Sequence, residues 1–385
     1  MTPSPKITAA AVQGSAVKVG FSDQPDFAFH SLWLRDRCEC PSCVHEASKQ
    51  KTLRADGFPA DIRPADARLT ESGLEVVWPD GHVSCFSAKL LAASTPDGRA
   101  QRKHQPVFWD GTLAERFPTV SFGRVSRSEA DRFEMLRFLV DYGVVRVSGV
   151  STDDAQTERL AALISIIRET PHGRIYDVQT LPNVHNLAYS SDELSVHVDG
   201  SYHYYSPGPI LFHFIQTSPK GGKTVLADGF SVARRLQSEC PEAYALLCRL
   251  PWRNAYWNAG MDFRSAAPPI GVDRDGDLTH VILNQYTSFP DHFDVEEVEA
   301  AYGAWRRIHE IAGRADMQVR LQMPAGDAII FDNRRVLHAR TGFDPKDGPR
   351  RLRSCYMERD TLHSNLRMLA QKLGDPLQNA IFSAT

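Results

Sequence analysis

At 385 residues the chain is longer than one hydrophobic core ordinarily supports, so two domains are expected. Hydrophobic residues make up 42% and charged residues 24%, an ordinary globular balance, and a net charge of −3 excludes the basic footprint of a nucleic-acid binder. No apolar run approaches the roughly 20 residues of a membrane span, and Met1-Thr-Pro-Ser-Pro-Lys6 lacks a signal-peptide core, so no membrane contact and a cytoplasmic location are expected.

Residues 7–35 alternate like short strands, at 16–19, 27–29 and 32–34. Three of the seven cysteines follow in Cys38-Glu-Cys40-Pro-Ser-Cys43. In a reducing compartment a tight cluster reads as a metal knuckle rather than disulfides. Three thiolates leave one tetrahedral position to fill. His82 is the first candidate, on a Pro79-Asp-Gly81 turn between strand-like runs at 73–78 and 83–86; Cys85 and His45 compete with it. Such a closed site would be structural, supplementing a core too small to be stable alone. The reading is a β-domain over 1–95 and a polar, basic linker over 96–108, with a second domain over 109–385.

In the second domain Ser128 caps a helix through 129–140 that Gly143 ends, and 144–147 is a buried strand. Residues 152–167 repeat the helical pattern. Residues 210–215 form an apolar strand, a Gly221-Gly222 hairpin leads into 224–230, and a helix follows from Ser231. A strand at 279–284, a helix at 295–312 and a strand at 328–331, continued through 332–338, complete an α+β pattern with a largely β core.

The chemistry concentrates in Leu194-Ser-Val-His197-Val-Asp199-Gly200. On a strand, residues i and i+2 share a face, so His197 and Asp199 aim at one point. A second histidine completes the two-His-one-carboxylate facial triad, which leaves coordination positions open. His338 supplies it, and Arg350, twelve residues on, suits bidentate binding of a dicarboxylate. Arg351 and Arg353 are the alternatives. His213, in an apolar strand, reads as a satisfied core residue.

The ordered set His197-x-Asp199, His338 and Arg350 resembles the Fe(II)/2-oxoglutarate dioxygenases, the TauD-like enzymes, and among them the γ-butyrobetaine and trimethyllysine dioxygenases. So do Leu32-Trp-Leu-Arg-Asp36, Trp78-Pro-Asp-Gly-His82, Asp228-Gly-Phe230, the stretch 331–338 and Cys355-Tyr-Met-Glu-Arg-Asp360. The resemblance implies a double-stranded β-helix (jelly roll) behind a small zinc-binding β-domain, with Zn(II) on Cys38, Cys40, Cys43 and His82. It implies Fe(II) on His197, Asp199 and His338, and 2-oxoglutarate on Arg350 assisted by Asn284 and Phe212. O2 is co-substrate, and the assembly is a homodimer. It also implies an aromatic cage for a small quaternary ammonium substrate. Tyr189 and Tyr356 match cage positions, with Tyr176 where γ-butyrobetaine dioxygenase has a tryptophan and His172 where it has a tyrosine. Asn186, Ser201 and Tyr202 are expected around the substrate. A pocket made more basic by His172, Arg174 and His203 suggests a more highly charged tail, as in 2-(trimethylammonio)ethylphosphonate hydroxylated next to phosphorus, with γ-butyrobetaine as the alternative. A catalytically silent betaine sensor would be expected to lack part of the His197/Asp199/His338/Arg350 set.

Overall fold

A computed structural model describes residues 5–179, 190–289 and 294–382. The chain divides into two compact units, Met1–Lys103 and His104–Thr385.

In the first unit two three-stranded antiparallel meanders form, Ile7–Gln13 with Ala16–Phe21 and Phe27–His30, and Asp66–Thr70 with Gly73–Val77 and Val83–Phe86. They bury Val17, Val19, Leu74, Val76, Trp78 and Phe86. Residues 32–34, expected as a strand, lie in the helix Ser31–Asp36. Its first turn is closed by His30, whose Nδ1 accepts from the Leu32 N–H at 3.2 Å. A three-residue apolar run carries no period of its own, so the cap decides its conformation. The expected linker over 96–108 begins as the helix Pro96–Arg102. Thr95 caps it through the Gly98 N–H at 3.1 Å, and proline takes its first turn. Pro96-Asp97-Gly98 is thus a helix start within the stretch expected as linker. Gly98 is required there because a Cβ would lie 2.0 Å from the Ala92 carbonyl oxygen.

The second unit is built on two sheets. Tyr176–Gln179, Pro209–Gln216, Ala328–Asp332 and Arg351–Tyr356 lie in a six-stranded sheet, extended by Val144–Ser148 and Thr119–Ser121. Leu194–His197, Thr224–Asp228, Gln318–Leu321 and Val336–Arg340 form a four-stranded one. From 176 to 228, and again from 318 to 356, successive strands alternate between the two sheets; this is the jelly roll. Their facing sides bury Ile210, Phe214, Leu226, Ile329, Phe331 and Val336. Truncating one of these phenylalanines to alanine would cost about 3–5 kcal/mol.

Helix Glu129–Asp141 starts at Ser128, whose Oγ accepts from the Asp131 N–H at 3.2 Å, and gives way to Gly143 at φ +74°. It packs with Arg359–Leu373 behind the larger sheet through Met135, Leu136, Leu362 and Leu366. Helix Gly229–Glu239 begins two residues earlier than the serine suggested, because Asp228 is the cap. The helix expected over 152–167 shortens to Ala155–Ala162, and the strand expected over 279–284 to Leu278–Val281. Residues 332–338 do not continue one strand. The Arg335 N–H donates to the Asp332 carbonyl at 3.0 Å, and this turn carries the chain from the large sheet to the small one. Arg335 then pairs with buried Asp228 at 2.9 Å, so the hairpin is pinned where it crosses.

Candidate active site

The convergence of His197, Asp199 and His338 follows from strand register. Leu194–His197 runs antiparallel to Val336–Arg340 with His197 opposite His338, their rings 4.4 Å apart. The strand ends at His197, and Asp199 sits just beyond it, before Gly200 turns the chain at φ +59°. Asp199 Oδ1 lies 3.6 Å from His197 Nε2 and 3.5 Å from His338 Nε2. These are poor hydrogen-bond lengths but suit three ligand atoms converging on one cation. His197 Nδ1 pairs with the Ser195 carbonyl at 2.8 Å, which places the proton on Nδ1 and frees Nε2 to coordinate. Burial, with the charge of His338, pulls His197 down to about 4, so its imidazole is neutral at pH 7. For Asp199 burial opposes ionisation, but His338 and its other partners outweigh it and hold the carboxyl at about 2. Two neutral-capable imidazoles and one carboxylate, all aimed inward, fit a divalent iron.

A cavity of ≈ 320 Å³ opens over these residues. At one end lie Arg340, Arg350 and Thr224. Arg340 is committed to the carbonyls of Ser190 and Asp192, at 2.7 Å each. Arg350 has its guanidinium over Phe343 and, among the described residues, no carboxylate partner. Burial and the nearby Arg340 lower it to about 10, so it stays charged. A half-buried cation without a counter-ion is costly, and a dicarboxylate entering this end would supply one. Arg351 and Arg353 face elsewhere and pair with Asp154 and Asp177. Phe212 is an apolar wall packed on His338 and Phe331. Asn284 lines the cavity, but its amide braces backbone: Nδ2 donates to the Val198 carbonyl at 2.8 Å, and Oδ1 accepts from the Tyr286 N–H at 2.9 Å.

At the other end the cavity is walled by tyrosines. Tyr176 and Tyr356 meet edge to face at 5.6 Å, and Tyr202 stacks on Tyr256 at 5.1 Å. His172 stands 6.2 Å from Tyr176. Tyr356 does more than form a wall, since its hydroxyl donates to Asp199 Oδ2 at 3.1 Å. Burial and the Asp199 charge push Tyr176 and Tyr356 well above the usual phenol range, so both remain neutral donors. Tyr189 and Asn186 lie outside the described residues. Ser201 is buried behind the wall, its hydroxyl paired with Thr287 at 2.8 Å, and it is Thr287 that faces the cavity. Arg174 pairs with Glu158 at the surface. His203 packs on Tyr202 and Phe263, and burial lowers it to about 4, so it adds no positive charge. Sequence reasoning missed Tyr256, Tyr286, Thr287 and Thr224. The first comes from the hairpin Trp252–Asn258/Met261–Ala267, which no short motif announces.

In the first unit Cys38, Cys40, Cys43 and His82 converge, with His82 Nε2 at 3.3, 3.7 and 3.7 Å from the three sulfurs. Zn–S and Zn–N bonds of about 2.3 and 2.0 Å in a tetrahedron would separate S and N by about 3.5 Å. Burial pushes Cys38 up to about 11, which opposes a bare thiolate; a bound cation would reverse that. The competitors are elsewhere: Cys85 points toward Glu75, and His45 bonds Ser48. The four residues fit a zinc ion.

Residues 109–356 match the taurine catabolism dioxygenase TauD, TfdA family, and residues 9–92 match the γ-butyrobetaine hydroxylase-like N-terminal family. This is an Fe(II)/2-oxoglutarate-dependent dioxygenase. The chain belongs to the TauD/TfdA family, in the group of γ-butyrobetaine and trimethyllysine dioxygenases. It is 32% identical to the γ-butyrobetaine dioxygenase of Pseudomonas sp. (strain AK-1), over 94% of this chain and 96% of that one. It is 29% identical to the trimethyllysine dioxygenase of Meyerozyma guilliermondii, again over 94% and 96%. The fold is that of a taurine dioxygenase from Burkholderia xenovorans (TM-score 0.50, 15% identity, 66% of this chain and 89% of that one). It is also that of AAD-2 in complex with Mn(II) and N-oxalylglycine (TM-score 0.51, 16% identity, 66% and 97%). Among the described residues no helix is long and apolar enough to cross a membrane.

Proposed function

We propose that this dioxygenase hydroxylates a small trimethylammonium zwitterion. The observation that carries the reading is the tyrosine box beside Asp199: Tyr176 against Tyr356 and Tyr202 against Tyr256. Aromatic faces around a desolvated cavity favour a quaternary cation by about 2 kcal/mol or more over a neutral isostere.

In this reading His197, Asp199 and His338 hold Fe(II), and Arg350 holds the far carboxylate of 2-oxoglutarate. Bound there, iron supplies with 2-oxoglutarate and O2 the oxidising power to hydroxylate an unactivated C–H bond. The chain's own residues do the positioning. Ser195 fixes the His197 tautomer, and Tyr356 occupies Asp199 Oδ2 so that Oδ1 stays turned toward the histidines. The tyrosine box sets which substrate carbon faces that point. Cys38, Cys40, Cys43 and His82 hold a structural Zn(II) that stabilises the unit before Lys103. The reading carries a homodimer with it, which sedimentation of the purified protein tests.

The tail of the substrate is the finer question. A phosphonate tail drew on a basic pocket of His172, Arg174 and His203. Arg174 is spent on Glu158, and His203 is neutral against Phe263, so only His172 supports it. A carboxylate needs fewer donors, and the Pseudomonas relative is a γ-butyrobetaine dioxygenase. We therefore place γ-butyrobetaine first and 2-(trimethylammonio)ethylphosphonate second. Metal-replete protein with Fe(II), ascorbate and 2-oxoglutarate should be offered γ-butyrobetaine, trimethyllysine and the phosphonate side by side. The highest kcat/KM is expected for γ-butyrobetaine. A higher value for the phosphonate reverses the order, and no hydroxylated product from any of them overturns the substrate class.

A further inference from the structure

Asp199 lies where strand pairing stops. The ladder between Leu194–His197 and Val336–Arg340 reaches the pair His197–His338 and no further, and Gly200 then turns the chain away at φ +59°. The Asp199 backbone therefore has no strand partner. Asn333 takes that place. Its Oδ1 accepts from the Asp199 N–H at 2.8 Å, and its Nδ2 donates to the Asp199 carbonyl at 2.9 Å. Nδ2 also donates to the Pro207 carbonyl at 3.3 Å. The side chain thus imitates both bonds of an antiparallel pair, and its two amide protons and one acceptor are all used. Asn333 is fully buried, and its own N–H donates to the Gly208 carbonyl at 3.2 Å.

Asn333 sits in the turn between Ala328–Asp332 and Val336–Arg340, five residues before His338. The hairpin that presents one imidazole therefore grips the backbone of the carboxylate residue. We propose that Asn333 is a positioning residue: it fixes the separation of Asp199 from His338 and so preorganises the metal site before any metal arrives. The inference rests on His197, Asp199 and His338 being the iron ligands. Groups that orient a metal ligand without touching the metal commonly account for about 10- to 100-fold in affinity. The competing role is a core asparagine that merely stabilises the fold.

The test uses the full-length, zinc-loaded protein and Mn(II), a hard ion that thiolates do not favour. Mn(II) affinity is read from the electron paramagnetic resonance of free ion, and metal-free stability from thermal unfolding. Asn333→Ala is expected to raise the Mn(II) Kd about 10- to 100-fold, with Asn333→Ser alongside it should the alanine variant not fold. Wild-type Mn(II) affinity with a lowered metal-free Tm would overturn the proposal and make Asn333 a structural residue. Amide exchange in metal-free wild type needs no variant: the Asp199 N–H is expected to be protected, and free exchange would overturn the proposal equally. His338→Ala serves as the reference. If it binds Mn(II) as tightly as wild type, the ligand assignment itself has failed, an outcome distinct from failure at Asn333.

Discussion

The Tyr356 hydroxyl donates to Asp199 Oδ2 at 3.1 Å while the same ring forms an edge-to-face wall with Tyr176. One residue therefore contacts the carboxylate and walls the cavity proposed for the substrate, and substitution can separate the two roles. Tyr356→Phe keeps the ring and deletes the donor. It is expected to lower kcat about 10-fold, the low end for a group that orients a metal ligand, with KM for the quaternary substrate little changed. Tyr356→Ala should raise KM as well. Steady-state assays of hydroxylated product check both; a Tyr356→Phe enzyme with wild-type kcat would show that the hydrogen bond does not orient Asp199.

Arg350 and Arg351 are neighbours with opposite fates. Arg350 lines the cavity without a carboxylate partner among the described residues, whereas Arg351 pairs with Asp154 at 2.6 Å and Asp177 at 3.1 Å. Arg350→Gln is expected to raise KM for 2-oxoglutarate at least about 30-fold, the lower end for a buried charge pair that loses one member. Arg351→Ala should leave that KM unchanged and cost at most about 1 kcal/mol of stability, because its pairs are partly exposed. The KM for 2-oxoglutarate decides between the two arginines.

The convergence of His197, Asp199 and His338 was legible because His-x-Asp on a strand has a fixed geometry, and a later histidine had only to be brought opposite it; register does this through the pair His197–His338. Arg350 was legible only by its place twelve residues after His338, which leaves Arg351 and Arg353 open; the ion pairs of those two with Asp154 and Asp177 are tertiary and could not be read in advance. What could not be read is whatever depends on side-chain direction. Ser201 and His203 follow Asp199 directly, yet one hydroxyl turns to Thr287 and the other ring to Phe263. Tyr256 reaches the cavity from a hairpin more than fifty residues downstream of Asp199, and only tertiary packing brings it to Tyr202. The strand expected at 32–34 failed for a local reason, a histidine acting as a helix cap.

Zinc removal should act on the first unit. Stripping the protein with a thiol-compatible chelator, or replacing Cys38 by serine, is expected to lower or abolish the thermal transition of residues 1–103, since a structural site contributes folding energy directly. Circular dichroism melts of wild type and of the Cys38→Ser variant check this. An unchanged melt, with no zinc in the wild-type protein by elemental analysis, would remove the metal from this site.

Stability should fall as the pH drops from about 6.5 to about 4. His309 is lowered to about 4 by burial, packed edge-on against Trp305 in Val295–Ala312. In the unfolded chain a histidine takes up a proton near pH 6.5, whereas the folded chain resists until near 4. The unfolded state thus binds more protons over that interval, and stability declines with falling pH. His309→Phe is expected to flatten the decline by about 1–3 kcal/mol. Urea midpoints at pH 7 and pH 4.5 measure it; parallel curves for wild type and variant would show that His309 does not resist protonation in the fold.

Tyr256 gives the sharpest test of the substrate class, because its role comes from structure alone. It stacks on Tyr202 at an interplanar angle of 22° and lines the cavity, but it touches neither the histidines nor Asp199 by any hydrogen bond among the described residues. Tyr256→Ala removes one aromatic wall and leaves the proposed metal ligands intact. The loss should therefore fall on binding rather than on chemistry. For a trimethylammonium substrate KM is expected to rise about 5- to 30-fold, the equivalent of about 1–2 kcal/mol of cation–π attraction, with kcat changed much less. The matched substrate in which carbon replaces the quaternary nitrogen carries the same shape without the charge. Its KM should rise only by the lost apolar contact. Equal rises for the two compounds would mean that the tyrosines form an apolar slot rather than a cation cage.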